Sequence, residues 1–247
     1  MKNDGGRLIV FTLFCLLILL LLSEPGFSRG SQLNPGERLE YQVFAKGLPV
    51  GEQSLTIIGW HDYQQEPVLH IRMQLTSYPA LAFLFSYQET ADLYLDPKNL
   101  TPVYLQRKLR EQEKVWAEEY SFGEETVEKI VRNSKGETKV YTYQAADPLL
   151  EGISLVYYLR ARPWQKDQYN FYYLTNKGPR LVEYQFVGEQ RIRVRTDYVM
   201  ADVVEDPVSQ VTVWYSQDEK VYPLRIAVKS SVGILTSRLV KITSVED

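Results

Sequence analysis

The sequence predicts a mainly β protein: a large curved antiparallel sheet, a half-open barrel, with one amphipathic helix packed on or in the concave face. Three observations predict it. From Glu37 to Thr243 apolar and polar residues alternate with a period of two in about a dozen short runs, the signature of half-buried strands. One segment, 147–162, switches to the period of a helix. Open sheets of this many strands curl or split because strand twist accumulates.

The elements follow in order. Leu39, Tyr41, Val43 and Ala45 alternate with Glu40, Gln42 and Lys46, which gives a first strand with one apolar face. Gly47-Leu48-Pro49 turns the chain, and Gly51 to Ile58 returns as the partner of a hairpin. Strands are then predicted over Val68–Thr76, Tyr87–Leu95, Val103–Arg110, Lys114–Phe122 and Thr126–Arg132. Asn133-Ser134-Lys135-Gly136 is a turn before Thr138–Gln144.

Asp147 and Pro148 have the chemistry of an N-cap and a first helical residue, and Leu149, Leu150, Ile153, Val156 and Tyr157 fall on one helical face. Arg160 and Arg162 suit the carboxyl end of that helix, and Pro163 stops it. Strands resume at Tyr169–Thr175, Leu181–Val187, Arg191–Val199, Ser209–Ser216, Val221–Lys229 and Ile234–Thr243.

Ahead of the β region, Leu8–Leu22 is an uncharged apolar run that follows Lys2 and Arg7 and precedes Pro25-Gly26. This layout is that of a secretory signal, with cleavage after Ser28 or Gly30, or of an uncleaved anchor slightly short of a full span. Either way the positive residues stay cytoplasmic and the rest is exported, to the periplasm or its inner-membrane face, with residues 8–22 as the route to membrane association. Cys15 lies inside the run after Leu13 and Phe14, which argues against a lipoprotein. Residues 1–30 thus form a signal or anchor and 31–247 a single β domain, since no Pro, Gly or Ser-rich linker divides it.

Removing residues 1–30 takes three basic and two acidic residues and leaves 25 basic, 29 acidic and a net charge of −4. That balance offers no bulk attraction to phosphate backbones, so nucleic acid is not an expected partner. The only cysteine leaves with the run, so the domain relies on a packed core rather than disulfides.

Several stretches occur together: Gly36-Glu-Arg-Leu-Glu-Tyr41, Gly47-Leu-Pro-Val-Gly51, Ala91 through Pro102, Asp147 through Arg160, Val213-Trp-Tyr-Ser-Gln-Asp218 and Tyr222-Pro-Leu224. In these the chain resembles the DUF3108 family of exported bacterial proteins, a domain of unknown function, from about Asn34 to Ile242. The resemblance implies an exported antiparallel β protein and, by analogy of shape, the curved half-barrels of lipoprotein carriers. It supplies no reaction and no site residues.

The candidate sites are few. His61, placed in a polar turn, and His70, in a strand, lack the spacing of a zinc site, and no metal or other cofactor is expected. The acidic pairs Glu111 and Glu113, Glu118 and Glu119, and Glu124 and Glu125 lie in or beside hairpin turns and read as solvated charge guarding sheet edges. Arg191, Arg193 and Arg195 alternate, so their guanidinium groups should share one strand face. There they would contact an anion or pair across strands with Glu183 or Glu189. The apolar stretch 79–86, with Leu81, Phe83, Leu84 and Phe85, would contact a lipid tail at the mouth of the sheet or fill the core.

No nucleophile elbow or phosphate loop occurs, and a non-enzymatic role is expected. The leading expectation is an envelope protein that binds a lipid or lipidated partner on its concave sheet. The alternative is an interaction protein of envelope assembly whose helix fills the concavity. An envelope hydrolase is the third reading.

Overall fold

The computed structural model describes residues 33–81, 86–161, 169–206, 211–230 and 233–244. The run Leu8–Leu22 with Cys15, the cleavage candidates Ser28 and Gly30, and Phe83, Leu84 and Phe85 lie outside the described residues. No helix among the described residues is long and apolar enough to cross a membrane.

The strands in chain order are β1 (Arg38–Ala45), β2 (Leu48–Tyr63), β3 (Glu66–Ser77), β4 (Tyr87–Leu95), β5 (Pro102–Glu111), β6 (Lys114–Phe122), β7 (Thr126–Asn133) and β8 (Thr138–Gln144). They continue as β9 (Leu149–Leu150), β10 (Tyr169–Thr175), β11 (Gly178–Val194), β12 (Asp197–Asp206), β13 (Val211–Ser216), β14 (Pro223–Ser230) and β15 (Gly233–Thr243). The helix α1 (Gly152–Arg160) separates β9 from β10, and a 3-10 turn occupies Pro79–Leu81.

All fifteen strands join one sheet in the order β8-β7-β6-β5-β4-β3-β2-β1-β15-β14-β13-β12-β11-β10-β9. Two meanders are thus welded where the first strand meets the last, from Arg38 opposite Thr243 to Ala45 opposite Leu235. Every pairing is antiparallel except the short one between β9 and β10. The sheet curls until its far strands approach: the Tyr143 hydroxyl of β8 donates to the Asn176 carbonyl at 3.4 Å, and Tyr143 packs against Gly178. Among the described residues no ladder joins β8 to the other edge, so the sheet they form is an incompletely closed barrel.

The period-two patterns become inner and outer faces. In β1, Leu39, Tyr41 and Val43 are buried while their neighbours are half-exposed, and in β4, Glu89, Ala91, Leu93 and Leu95 point inward. The inner face meets α1, of which Ile153 through Arg160 are all buried. A helix buried all round is surrounded by sheet, so α1 fills the concavity.

Four local expectations are corrected. The helix begins at Gly152 and not at Pro148, because Leu149 and Leu150 are extended and pair with Tyr172 and Tyr173 of β10. Leu181–Val187 and Arg191–Val199 are not two strands. β11 runs unbroken to Val194, passing Gly188 (φ +121°) with a bulge that lets a long strand bend. β12 extends through 200–206, which the polar Asp202, Glu205 and Asp206 disguised as a connection. His61 lies within β2, which continues to Tyr63 through a bulge at Gly59.

Candidate functional site

Both ends of α1 are held by buried polar groups, and these form the candidate site. At the carboxyl end Arg160 is fully buried, and its two Nη atoms donate to the Glu37 carboxylate oxygens at 2.5 and 2.8 Å. Its Nε donates to the Lys220 carbonyl at 2.8 Å, and the guanidinium lies 5.0 Å from the centre of the Tyr222 ring. Glu37 is positioned at the entry to β1, where its carbonyl accepts from the Ile57 amide at 2.8 Å. Burial acts to lower the Arg160 pKa, but the Glu37 carboxylate outweighs it, and the charged guanidinium is favoured.

Tyrosines complete this socket. The Tyr215 hydroxyl donates to the Val156 carbonyl at 2.9 Å, and the Tyr41 hydroxyl donates to the Pro223 carbonyl at 2.9 Å. Burial pushes the hydroxyl pKa of Tyr41, Tyr157 and Tyr215 well above the ordinary tyrosine value, so all remain neutral.

At the amino end Glu151 caps the helix. Its Oε1 accepts from the Ile153 and Ser154 amides at 2.9 and 2.6 Å, while its own amide donates to Ser154 Oγ at 2.8 Å. This is a capping box with the acid and hydroxyl in exchanged positions. The other oxygen, Oε2, is buried without a hydrogen-bond partner among the described residues. Burial raises the Glu151 pKa above the usual carboxylate value, against the pull of Arg107 and of the capping hydrogen bonds.

Arg107 belongs to a ladder of alternating charge across the inner face of β4 to β7. Its Nε is 3.0 Å from Glu89 Oε1, at an angle too oblique for a hydrogen bond, and Lys129 Nζ is 3.0 Å from Glu118 Oε1. The Tyr87 hydroxyl donates to Glu89 at 2.6 Å and the Tyr120 hydroxyl to Glu118 at 2.8 Å. Burial disfavours the Arg107 charge, but Glu89 and Glu151 outweigh it and raise its pKa. The Tyr173 hydroxyl on β10 is pushed up to about 12 by burial and by Glu151. Three carboxyl groups thus face two cations, an imbalance that a proton on Glu151 would remove.

The residues singled out from sequence are scattered. Leu81 is half-buried in the 3-10 turn Pro79–Leu81. Arg191 and Arg193 are exposed on β11, where Arg191 lies 5.1 Å from the Tyr198 ring centre. Arg195 does not share their strand: it sits in the following turn with φ +56° and donates from Nε to the Val240 carbonyl at 2.5 Å. Among the described residues no ion pair joins these arginines to Glu183 or Glu189.

His70 Nε2 is 2.7 Å from Asp92 Oδ1, which also accepts from Arg72 Nε at 2.7 Å, and His61 packs 5.3 Å from the Tyr94 ring on the outer face. Burial acts to raise the Asp92 pKa, but the hydrogen bonds from Arg72 and His70 outweigh it and lower the value. The pair Glu118 and Glu119 is not beside a turn. It lies within β6 and splits across the sheet, Glu118 inward to Lys129 and Glu119 outward to Arg132.

Grooves open on the surface of the described residues. One, of about 460 Å³, is a polar cleft whose lining includes Glu40, Gln42, Glu52, Gln74 and Tyr78. Another, of about 450 Å³, lies beside β8 between Trp116, Val131 and Tyr141, with Lys114, Lys135 and Lys139 around it.

Sequence reading missed the inner ladder and the Glu37–Arg160 pair. A signal for the ladder existed: Glu89 sits in the same alternation phase as Ala91, Leu93 and Leu95. A charge in an inward phase requires a partner on a neighbouring strand.

The architecture is similar to that of a crystal structure described as a beta-barrel-like protein of domain of unknown function DUF1849 from Brucella abortus. The match has a TM-score of 0.53 and 8% identity and covers 85% of this chain and 98% of that one. It speaks for the fold alone. No curated protein matches the sequence. The family described as a protein of unknown function, DUF3108, matches residues 40–240, and by that match the chain belongs to the family.

Proposed function

We propose that this protein is an exported envelope protein whose β domain serves as a non-catalytic interaction module, with its concavity filled by its own helix. The observation that carries this reading is the burial of every residue from Ile153 to Arg160 in α1, clamped by Glu37 at one end and set against the inner ladder at the other. A lipid bound on the concave sheet would compete with α1 for the same apolar surface. The apolar run Leu8–Leu22 behind Lys2 and Arg7 supports export.

Interaction then falls to the outside. Among the described residues β8 ends the sheet with an unladdered edge, and Val140 and Tyr141 are 58% and 42% exposed there. Edges of this kind accept a further strand, with backbone groups giving affinity and flanking pockets giving choice.

The full chain, released from membranes and analysed by native mass spectrometry, should carry no lipid in the domain. A photo-crosslinker at Tyr141 in intact cells should yield one defined protein adduct, and fractionation should place it on the exported side. Stoichiometric lipid that protects α1, or a cytoplasmic protein, would overturn the reading.

A further inference from the structure

The outer face carries a pair of arginines that stand side by side without a carboxylate partner among the described residues. In the β13–β14–β15–β1 region Trp214, Arg225, Arg238 and Gln42 stand directly opposite one another in register. Directly opposed residues have Cβ atoms about 4.5–5.5 Å apart, and like charges so placed repel. Among the described residues neither arginine forms an ion pair with a carboxylate. Glu40, on the same face of β1, is already taken by Arg38 at 2.9 Å and Lys241 at 3.8 Å.

Both guanidinium groups are instead fixed by rings. Arg225 lies 5.2 Å from the Trp214 ring centre and Arg238 lies 4.2 Å from that of Phe44. Trp214 is itself held by its Nε1 donating to Gln190 Oε1 at 2.6 Å. Ring contacts orient a cation and leave its charge in place. Arg225 Nε is buried with no hydrogen-bond partner among the described residues. Burial and the neighbouring Arg238 both lower the Arg225 pKa, the direction expected of a cation lacking a counter-charge.

We propose that Arg225 and Arg238 form a binding site for a phosphate group, approached from the convex face and held between two pre-oriented guanidinium forks. Planar guanidinium groups match the oxygens of phosphate in paired hydrogen bonds, and a bound dianion or diester offsets the repulsion between the two side chains. The site is independent of the plugged interior.

Nε–H resonances of Arg225 and Arg238 in the full chain in detergent report binding directly. Titration with inorganic phosphate, against chloride at matched ionic strength, should give saturable shifts of both signals. R238Q removes an exposed side chain and should weaken binding roughly tenfold, the loss of one hydrogen bond to a charged group. R225Q should do the same, while R191Q, also at an exposed arginine, should leave binding unchanged. Glycerophosphoglycerol, a deacylated lipid headgroup, separates the sources: tighter binding of this diester indicates a lipid, and tighter binding of inorganic phosphate a free phosphate. Absence of saturable shifts with either probe, or equal weakening in R191Q and R238Q, overturns the site.

Discussion

Arg160 is the residue on which the interior turns, since its three nitrogens join α1 to the entry of β1 and to the chain before β14. A buried ion pair gains little over an apolar pair of the same shape, but breaking one partner strands the other. Arg160→Met should therefore destabilise the fold by about 3–5 kcal/mol in urea unfolding, and a double variant that also carries Glu37→Leu should recover much of that loss. Equal destabilisation by the single and double variants would refute the pairing.

Glu151 makes a pH-dependent prediction at the same scale. Its folded pKa lies above the ordinary value of 4.5, so the folded state holds this proton more tightly than the unfolded chain does. Stability from that proton is complete below 4.5 and lost as pH rises through the raised value. Glu151→Gln keeps an oxygen for the Ile153 and Ser154 amides and cannot ionise. The unfolding free energy of the wild-type protein, relative to this variant, should fall between acid and neutral pH. A flat or rising difference would contradict the assignment. Neither Arg160 nor Glu151 was legible as a site from sequence. Arg160 matched a helix-end charge, and Glu151 lay inside the expected helix instead of at its cap.

At the scale of elements, the strands were readable where one face is apolar and the other polar. β4, β6, β8 and β10 run between the same residues that the alternation marks. The reading failed where tertiary structure decided. Asp147-Pro148 has helix-start chemistry, yet pairing with β10 claims Leu149 and Leu150 for a strand and moves the start to Gly152. Acidic residues of β12 face inward to partners that sequence separation hides: Asp202 accepts from Gln217 at 2.8 Å.

Gly51 shows a contact invisible in one dimension. A Cβ there would stand 2.4 Å from the Thr76 carbonyl oxygen across the β2–β3 pair, and backbone cannot swing aside. Gly51→Ala should cost about 1–3 kcal/mol, read as a lowered thermal midpoint, through this contact, whereas Gly47→Ala would meet no neighbour and would be opposed only by its φ of +82°. An unchanged midpoint in Gly51→Ala would mean that β2 and β3 are not so closely apposed.

For the whole molecule, the decisive features are the weld of β1 to β15 and the helix inside. The weld makes two meanders one curved sheet, and a sheet this long must curl and cover its apolar face. Sequence indicated the curl and the helix but left open whether the helix lines the concavity or fills it. That depends on where both ends of α1 are clamped, which only the assembled strands reveal. Under the proposed reading, an interior filled in this way leaves interaction to the outside, at the edge of β8 and at the arginine pair on β14 and β15.

The central claim is that α1 is a permanent part of the core, and native-state hydrogen exchange of its amides tests it most directly. The amides of Leu155 to Arg160 should exchange only with global unfolding, as slowly as those of Leu39 and Ile57 in β1 and β2. Exchange of the helix through a separate opening of much lower free energy, while β1 and β2 stay protected, would show a removable plug and contradict the account.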